Sequence, residues 1–281
     1  MKIRRPYISI ALIVLVVQTG MAQEQKQDTL DTGKVYEIGE VVVTGTRNET
    51  DVRHLSQTVS VVNRSKIDQA LQPSLLPVLT EQIPGLFVTS RGVMGYGVSG
   101  GAAGSISLRG LSGGTARLMV MIDGHPQYAG IFGHPIADAY QSFLAERVEV
   151  LRGPASVLYG SNAMGGVINI VTRKMQEDGV KTNLHTGYGS YNTLETELTN
   201  RIRKGRFSSV VSGSYNRTDG HRADMGFEQY GGYAKLGYEM TNNWNLRGDV
   251  NVTHFNASYP GPVDAPLLDG DQRITRGMTS F

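Results

Sequence analysis

Cysteine is absent from the 281 residues, so disulfides, thiolate metal sites and cysteine nucleophiles are excluded. Charge of one sign is also lacking: Lys and Arg total 27 against 25 Asp and Glu, which leaves no electrostatic argument for a nucleic-acid partner. Aromatics make up 7% and there is one Trp. The one long apolar run, Ile8 to Val17, is interrupted by Ser9 and is too short to span the ~30 Å hydrocarbon core as a helix. Glycine, by contrast, is plentiful at 35 residues, which suits turns and β-structure and argues against a helical bundle.

The apolar run sits behind Lys2, Arg4 and Arg5 and ahead of Gly20-Met21-Ala22. A basic start, an apolar middle and a small-x-small end define a secretory signal peptide over residues 1–22. No cysteine follows the cleavage site, which excludes a lipoprotein. The next residues, from Gln23 to Lys34, are polar and lack any core-forming pattern, as expected of a flexible arm. Val41, Val42 and Val43 then form a β-prone cluster; on its own it reads as a short edge strand.

The most informative stretch is Val148 to Arg173, VEVLRGPASVLYGSNAMGGVINIVTR. Val148, Val150 and Leu151 start it as a strand. Gly153-Pro154 breaks that strand, and Pro154 fits the first turn of a short helix over Ala155 to Tyr159. Gly160, Gly165 and Gly166 supply turns. Val167 to Val171 returns as a strand rich in β-branched residues. Upstream, Thr58 to Asn63 reads as a strand, and Ser65 to Leu71 and Ser74 to Gln82 as helices with Ser65 and Ser74 as N-caps. Pro84-Gly85 stops the second helix, and Leu86 to Thr89, Ser105 to Leu108 and Leu118 to Ile122 read as further strands. Asp138 to Phe143 reads as a short helix.

Arg152-Gly153-Pro154, Leu158-Tyr159-Gly160 and Gly165-Gly166-Val167-Ile168-Asn169 occur in unbroken order. This stretch resembles the end of the plug domain of TonB-dependent outer-membrane receptors, in which a plug is folded inside a β-barrel. Ser105 to Gly110 and Leu118 to Gly124 resemble two further plug signatures. The resemblance implies a mixed α/β plug over 48–175, preceded by a flexible arm at 23–47. In that context Glu40, Val41, Val42, Val43, Thr44 and Gly45 look like the TonB box, an extended segment that a periplasmic partner, TonB, captures by strand pairing. It also implies that Arg109 and Arg152 pair with glutamates of the barrel wall, as plug–barrel anchors; a solvated arginine at a strand end is the plain alternative.

Two loops invite other readings. Gly95 to Gly100 fits G-x-G-x-x-G, but a dinucleotide site needs a helix to open at the last glycine, and here the loop continues into Ser105. It reads instead as an apical loop with Tyr96 facing the ligand, or packing on the loop itself. Gly124 to Pro135 is a second apical loop, with His125, Tyr128, Phe132 and His134. Tyr128 and His134 join Tyr96 as candidate ligand contacts. No spacing there fixes a metal geometry, so no metal or cofactor is expected. Ser112, His125 and Asp123 do not form a catalytic set, since no G-x-S-x-G elbow is present; the protein is not expected to be an enzyme.

After Lys174 the period becomes two. Leu194, Thr196, Leu198, Asn200 and Ile202 alternate with Glu195, Glu197, Thr199, Arg201 and Arg203, and three later segments and Leu184 to Tyr188 behave likewise. One apolar and one polar face per strand suits a transmembrane β-barrel, and equally a soluble sandwich. With the plug resemblance the barrel reading is preferred. Residues 176–281 then hold about five strands of an expected barrel of about 22, which makes the chain the N-terminal part of a receptor. The implied function is TonB-dependent active transport across the cell outer membrane by a monomer. The ligand expected from frequency in the family is a ferric siderophore, followed by cobalamin or haem. The alternative is a truncated plug-type protein that engages TonB without transport.

Overall fold

The computed structural model describes residues 41–42, 44, 50–51, 57–70, 72–88, 94, 106–112, 118–127, 140–241, 244–258, 260–261, 263–265 and 270–280. The signal-peptide region, most of the arm, and Glu40, Val43, Gly45, Tyr96, Tyr128 and His134 lie outside the described residues.

The first part is an α/β unit. A short ladder pairs β1 (Val41–Val42) with β2 (Thr50–Asp51). β3 (Thr58–Asn63) leads into α1 (Arg64–Ala70) and α2 (Leu75–Gln82). The caps differ from the sequence expectation. Asn63 Oδ1 accepts from the Lys66 N–H (3.3 Å) and from the Ser65 hydroxyl (2.9 Å), so Asn63 caps α1. Ser74 makes no capping bond; its extended backbone places its hydroxyl toward the Tyr140 carbonyl, 3.5 Å away. Gly85, at φ +83°, turns the chain after α2, a conformation cheap only for glycine. β4 (Leu86–Val88), β5 (Ile106–Leu108) and β6 (Leu111–Ser112) form a three-stranded sheet.

The central sheet is built from β3, β7 (Leu118–Ile122), β8 (His125–Pro126), β9 (Ala145–Arg152) and β10 (Gly166–Thr172), in the order β3-β9-β10-β7-β8. β10 runs parallel to β7 and antiparallel to β9. A 3₁₀ turn at Ser142–Leu144 precedes β9; of the helix expected over Asp138 to Phe143, Asp138 and Ala139 lie outside the described residues and Tyr140 and Gln141 are not helical, and α3 (Ser156–Tyr159) lies between β9 and β10. Both faces of the sheet are covered. Val148, Val150, Ile168 and Ile170 pack against Ile67, Leu75, Leu76 and Leu79 of the two helices. Leu151 and Val167, on the other face, join Met119, Met121, Ala155 and Ala163. A strand buried on both faces reads as a nearly continuous apolar run, as β7 does.

The second part is a six-stranded antiparallel meander: β11 (Gly179–Gly189), β12 (Thr193–Lys204), β13 (Phe207–Thr218), β14 (Phe227–Thr241), β15 (Trp244–Ser258) and β16 (Asp271–Ser280). Five were expected. β16 was not legible because the residues opposite the outward side chains of β15 are Arg273, Thr275, Gly277 and Thr279, with no apolar alternation to see. Outward positions carry exposed apolar side chains, among them Val180, Leu184, Leu198, Val211, Leu236 and Leu246. Inward positions meet the α/β unit, where Val210 and Tyr233 enter its core. At one end the connections are short (Gly205-Arg206 and residues 242–243). At the other, Ser190 to Asn192 is short, and residues 219–226 and 259–270 are longer.

Candidate functional site

Arg109 and Arg152 sit at strand ends. Arg109 is exposed in a turn at φ +52°, with its N–H donating to the Gly85 carbonyl (2.7 Å). Arg152 ends β9 between Thr58 and Gly166, half-buried, and its Nε has no hydrogen-bond partner among the described residues. The contacts that do join the α/β unit to the strand wall are made elsewhere, and the sequence did not single them out.

The first of these contacts is Asp123, in the turn that closes β7, held at φ +48°. Its Oδ1 accepts the Thr172 N–H (2.8 Å), and its Oδ2 accepts the Thr172 hydroxyl (2.6 Å) and the ammonium of Lys235 (2.5 Å) on β14. Lys235 also donates to Thr172 Oγ1 (2.9 Å). Burial pushes the Asp123 carboxyl up, but the Lys235 charge and the bonds from Lys235 and Thr172 outweigh it and hold the pKa below the ordinary aspartate value. Other links follow the same polar chemistry. Ser214 donates to Gln141 Oε1 (2.6 Å), Arg276 donates to Gln127 Oε1 (3.0 Å), and Arg173 lies 3.8 Å from Glu197. Arg276 also stands 5.9 Å above the Tyr140 ring. Tyr140 is fully buried, and burial pushes its phenol up to about 12 despite the opposing Arg276 charge. A cavity of about 590 Å³ opens along this seam, lined by Asp123, Arg147, Tyr159, Lys174, Lys235 and Arg247 among others.

Within the segment expected to be the TonB box, Thr44 is docked on the sheet. Thr44 is buried, and its N–H (2.9 Å) and hydroxyl (2.5 Å) both donate to Glu149 Oε2. Tyr159 donates to the Thr44 carbonyl (2.9 Å). The other carboxylate oxygen of Glu149 takes Arg147 Nε and Nη2, both at 2.9 Å. Tyr159 and Arg147 also line the cavity near Arg247, which lies toward the short-turn end of the wall. At the opposite end Met94, the residue before the first expected apical loop, packs against Phe227 and Phe255. Among the described residues no group of three or more His, Asp or Glu could hold a metal. Asp123 is committed to Lys235 and is not part of a hydrolytic set.

A mixed plug-like α/β unit seated against an antiparallel wall that is apolar outside and polar inside defines the class: an outer-membrane β-barrel protein with an internal plug. Residues 51–167 match the TonB-dependent Receptor Plug Domain family. Residues 51–167 are thus a TonB-dependent receptor plug, followed by strands that match the start of a receptor barrel; the receptors of this family are non-enzymatic outer-membrane transporters. It is 27% identical over 254 residues to the vitamin B12 transporter BtuB of Vibrio vulnificus (strain YJ016), covering 87% of this chain and 38% of that protein. In fold it is similar to the pyoverdine outer membrane receptor FpvA of Pseudomonas aeruginosa PAO1, with TM-score 0.61, 19% identity, and 77% and 30% of the two chains covered. The alcaligin outer membrane receptor FauA of Bordetella pertussis gives TM-score 0.60 and 20% identity, with 79% and 36% covered. The chain therefore spans about two fifths or less of the length of these relatives.

Proposed function

We propose that this chain serves, within a complete receptor, in TonB-dependent active transport of a scarce nutrient across the outer membrane. The observation that carries the reading is the placement of two segments at opposite ends of one strand wall. Thr44 docks by the short-turn end, and Met94 meets the wall at the long-loop end. A ligand bound among outer loops and a partner waiting at the inner end would thus address the same plug from two sides. Energy would reach the plug through the Glu40 to Gly45 segment, captured by TonB as an added strand. Arg109 and Arg152 would anchor the plug to barrel glutamates, and Tyr96, Tyr128 and His134 would face the ligand.

The ligand we propose first is a ferric siderophore. Cobalamin is the second reading, favoured by the 27% identical relative, a vitamin B12 transporter; haem follows. The test is Val42→Pro in the complete receptor. Proline removes a backbone N–H and resists strand pairing. Uptake should fall to background while ligand binding at the cell surface stays unchanged; undiminished uptake would remove TonB coupling through this segment. Feeding an uptake-deficient strain expressing the receptor with ferric siderophores or cobalamin separates the ligands.

A further inference from the structure

We propose that Glu149 is a positioning residue that holds Thr44 docked on the plug and so sets how readily a strand-pairing partner can reach the chain at this point. The proposal rests on the reading of Glu40 to Gly45 as the TonB box. Glu149 is fully buried at the centre of β9. Its side chain lies on a sheet face that holds apolar Val59, Met119, Met121, Leu151 and Val167, with Asn169 directly opposite it on β10. A carboxylate in such a place costs free energy unless it is paired and hydrogen-bonded, and packing alone would be served better by an aliphatic side chain. The compensation it receives includes groups from two directions. Arg147, on the same strand and 27% exposed, satisfies Oε1. Oε2 takes both the N–H and the hydroxyl of Thr44, a residue 105 positions away. Tyr159 closes the third side on the Thr44 carbonyl. All three hydrogen-bonding groups of Thr44 are thus engaged by the plug.

A polar anchor of this kind suits a segment that has to leave. When Thr44 departs, Glu149 keeps Arg147, and water can take the places of the two Thr44 donors. An apolar anchor would instead leave bare hydrocarbon behind. Among the described residues, β1 and β2 pair through two residues each. The bonds to Glu149 are charge-assisted and so among the stronger kind that can hold Thr44 to the plug.

The chain's lack of cysteine makes the test direct. Val43→Cys is introduced into the complete receptor in outer-membrane fractions, with any thiol beyond this chain replaced, and the rate of maleimide labelling is followed. Glu149→Gln and Thr44→Val should each raise the rate by about tenfold or more, as expected for loss of a hydrogen bond to a charged group. Thr44→Ser, which keeps the hydroxyl, should label at the parent rate. A second cysteine at buried Val167 must stay protected in every variant, which shows that the plug is intact. Labelling of all variants within about twofold of the parent, with Val167→Cys protected, would overturn the proposal; Thr44→Val carries the test if Glu149→Gln fails to fold. Purified TonB periplasmic domain separates this from failure of the underlying reading. Faster labelling without tighter capture by that domain would leave the latch standing and sink the box assignment. Parent-rate labelling in a receptor whose uptake Val42→Pro abolishes would do the reverse.

Discussion

At the residue scale the seam depends on Asp123 and Lys235. Losing one partner of a largely buried pair leaves the other charge stranded. Lys235→Met should therefore weaken the plug's hold by about 1–3 kcal/mol, less than for a fully buried pair because both side chains keep some contact with water. The pH dependence has a definite sign. Asp123 is depressed in the folded protein, so its contribution is complete above the unfolded value of about 3.9 and is lost as pH falls below it through the folded pKa. The stability gap between parent and Asp123→Asn in urea titrations should be flat near neutrality and close in that acid range. Gly231, on the inner side of β14, faces Gln141 and Ser214, and a Cβ there would lie 2.5 Å from Ser214 Oγ and collide with the Gln141 amide. Gly231→Val should cost about 1–3 kcal/mol by overpacking and should expose the plug to protease. None of these partners was legible in the sequence. Periodicity places Lys235 on the polar face of its strand, but Asp123 lies 112 residues away, and no local pattern encodes which inward cation meets which plug carboxylate. Glu149 was hidden likewise, as one polar letter between Val148 and Val150.

At the element scale the sequence was more readable. Strands of period two, Gly and Pro stops and the β9–α3–β10 unit all follow from local chemistry; β3, β7, α1 and α2 formed within a residue or two of where they were expected, whereas β11, β14 and β15 run well beyond the stretch whose alternation was legible. The failures have local causes too. Asn63 displaced Ser65 as a cap because its longer side chain reaches the Lys66 N–H, and β16 lacks apolar outward residues. The outward faces now belong to lipid. Val211 is outward and exposed on β13, so Val211→Arg in the complete receptor should cost about 2–4 kcal/mol if it sits near the bilayer midplane. Ser208→Arg, on the inner side where a cavity opens, should leave membrane insertion unchanged. Heat-modifiability on gels and unfolding from lipid vesicles would report the difference.

At the scale of the whole molecule the wall of six strands is open. β11 and β16 each have one partner in the sheet, and hydrocarbon does not tolerate an unpaired strand edge. A polypeptide of residues 23–281 alone should fail to insert into vesicles and should aggregate through those edges, whereas the same residues followed by further strands should give a product resistant to urea extraction. A stable, monomeric membrane species of residues 23–281 would contradict the barrel geometry. The seam has one more consequence. Asp123 with Lys235, Gln141 with Ser214 and Arg276 with Gln127 make it largely a surface of ions, amides and hydroxyls. Each such bond can be exchanged for water at a net cost of about 1–3 kcal/mol, one at a time, while a greased apolar joint would have to expose its whole area together. In the language of friction such a seam is a bearing that water could lubricate: under a steady pull it should give way in small steps rather than in one large break.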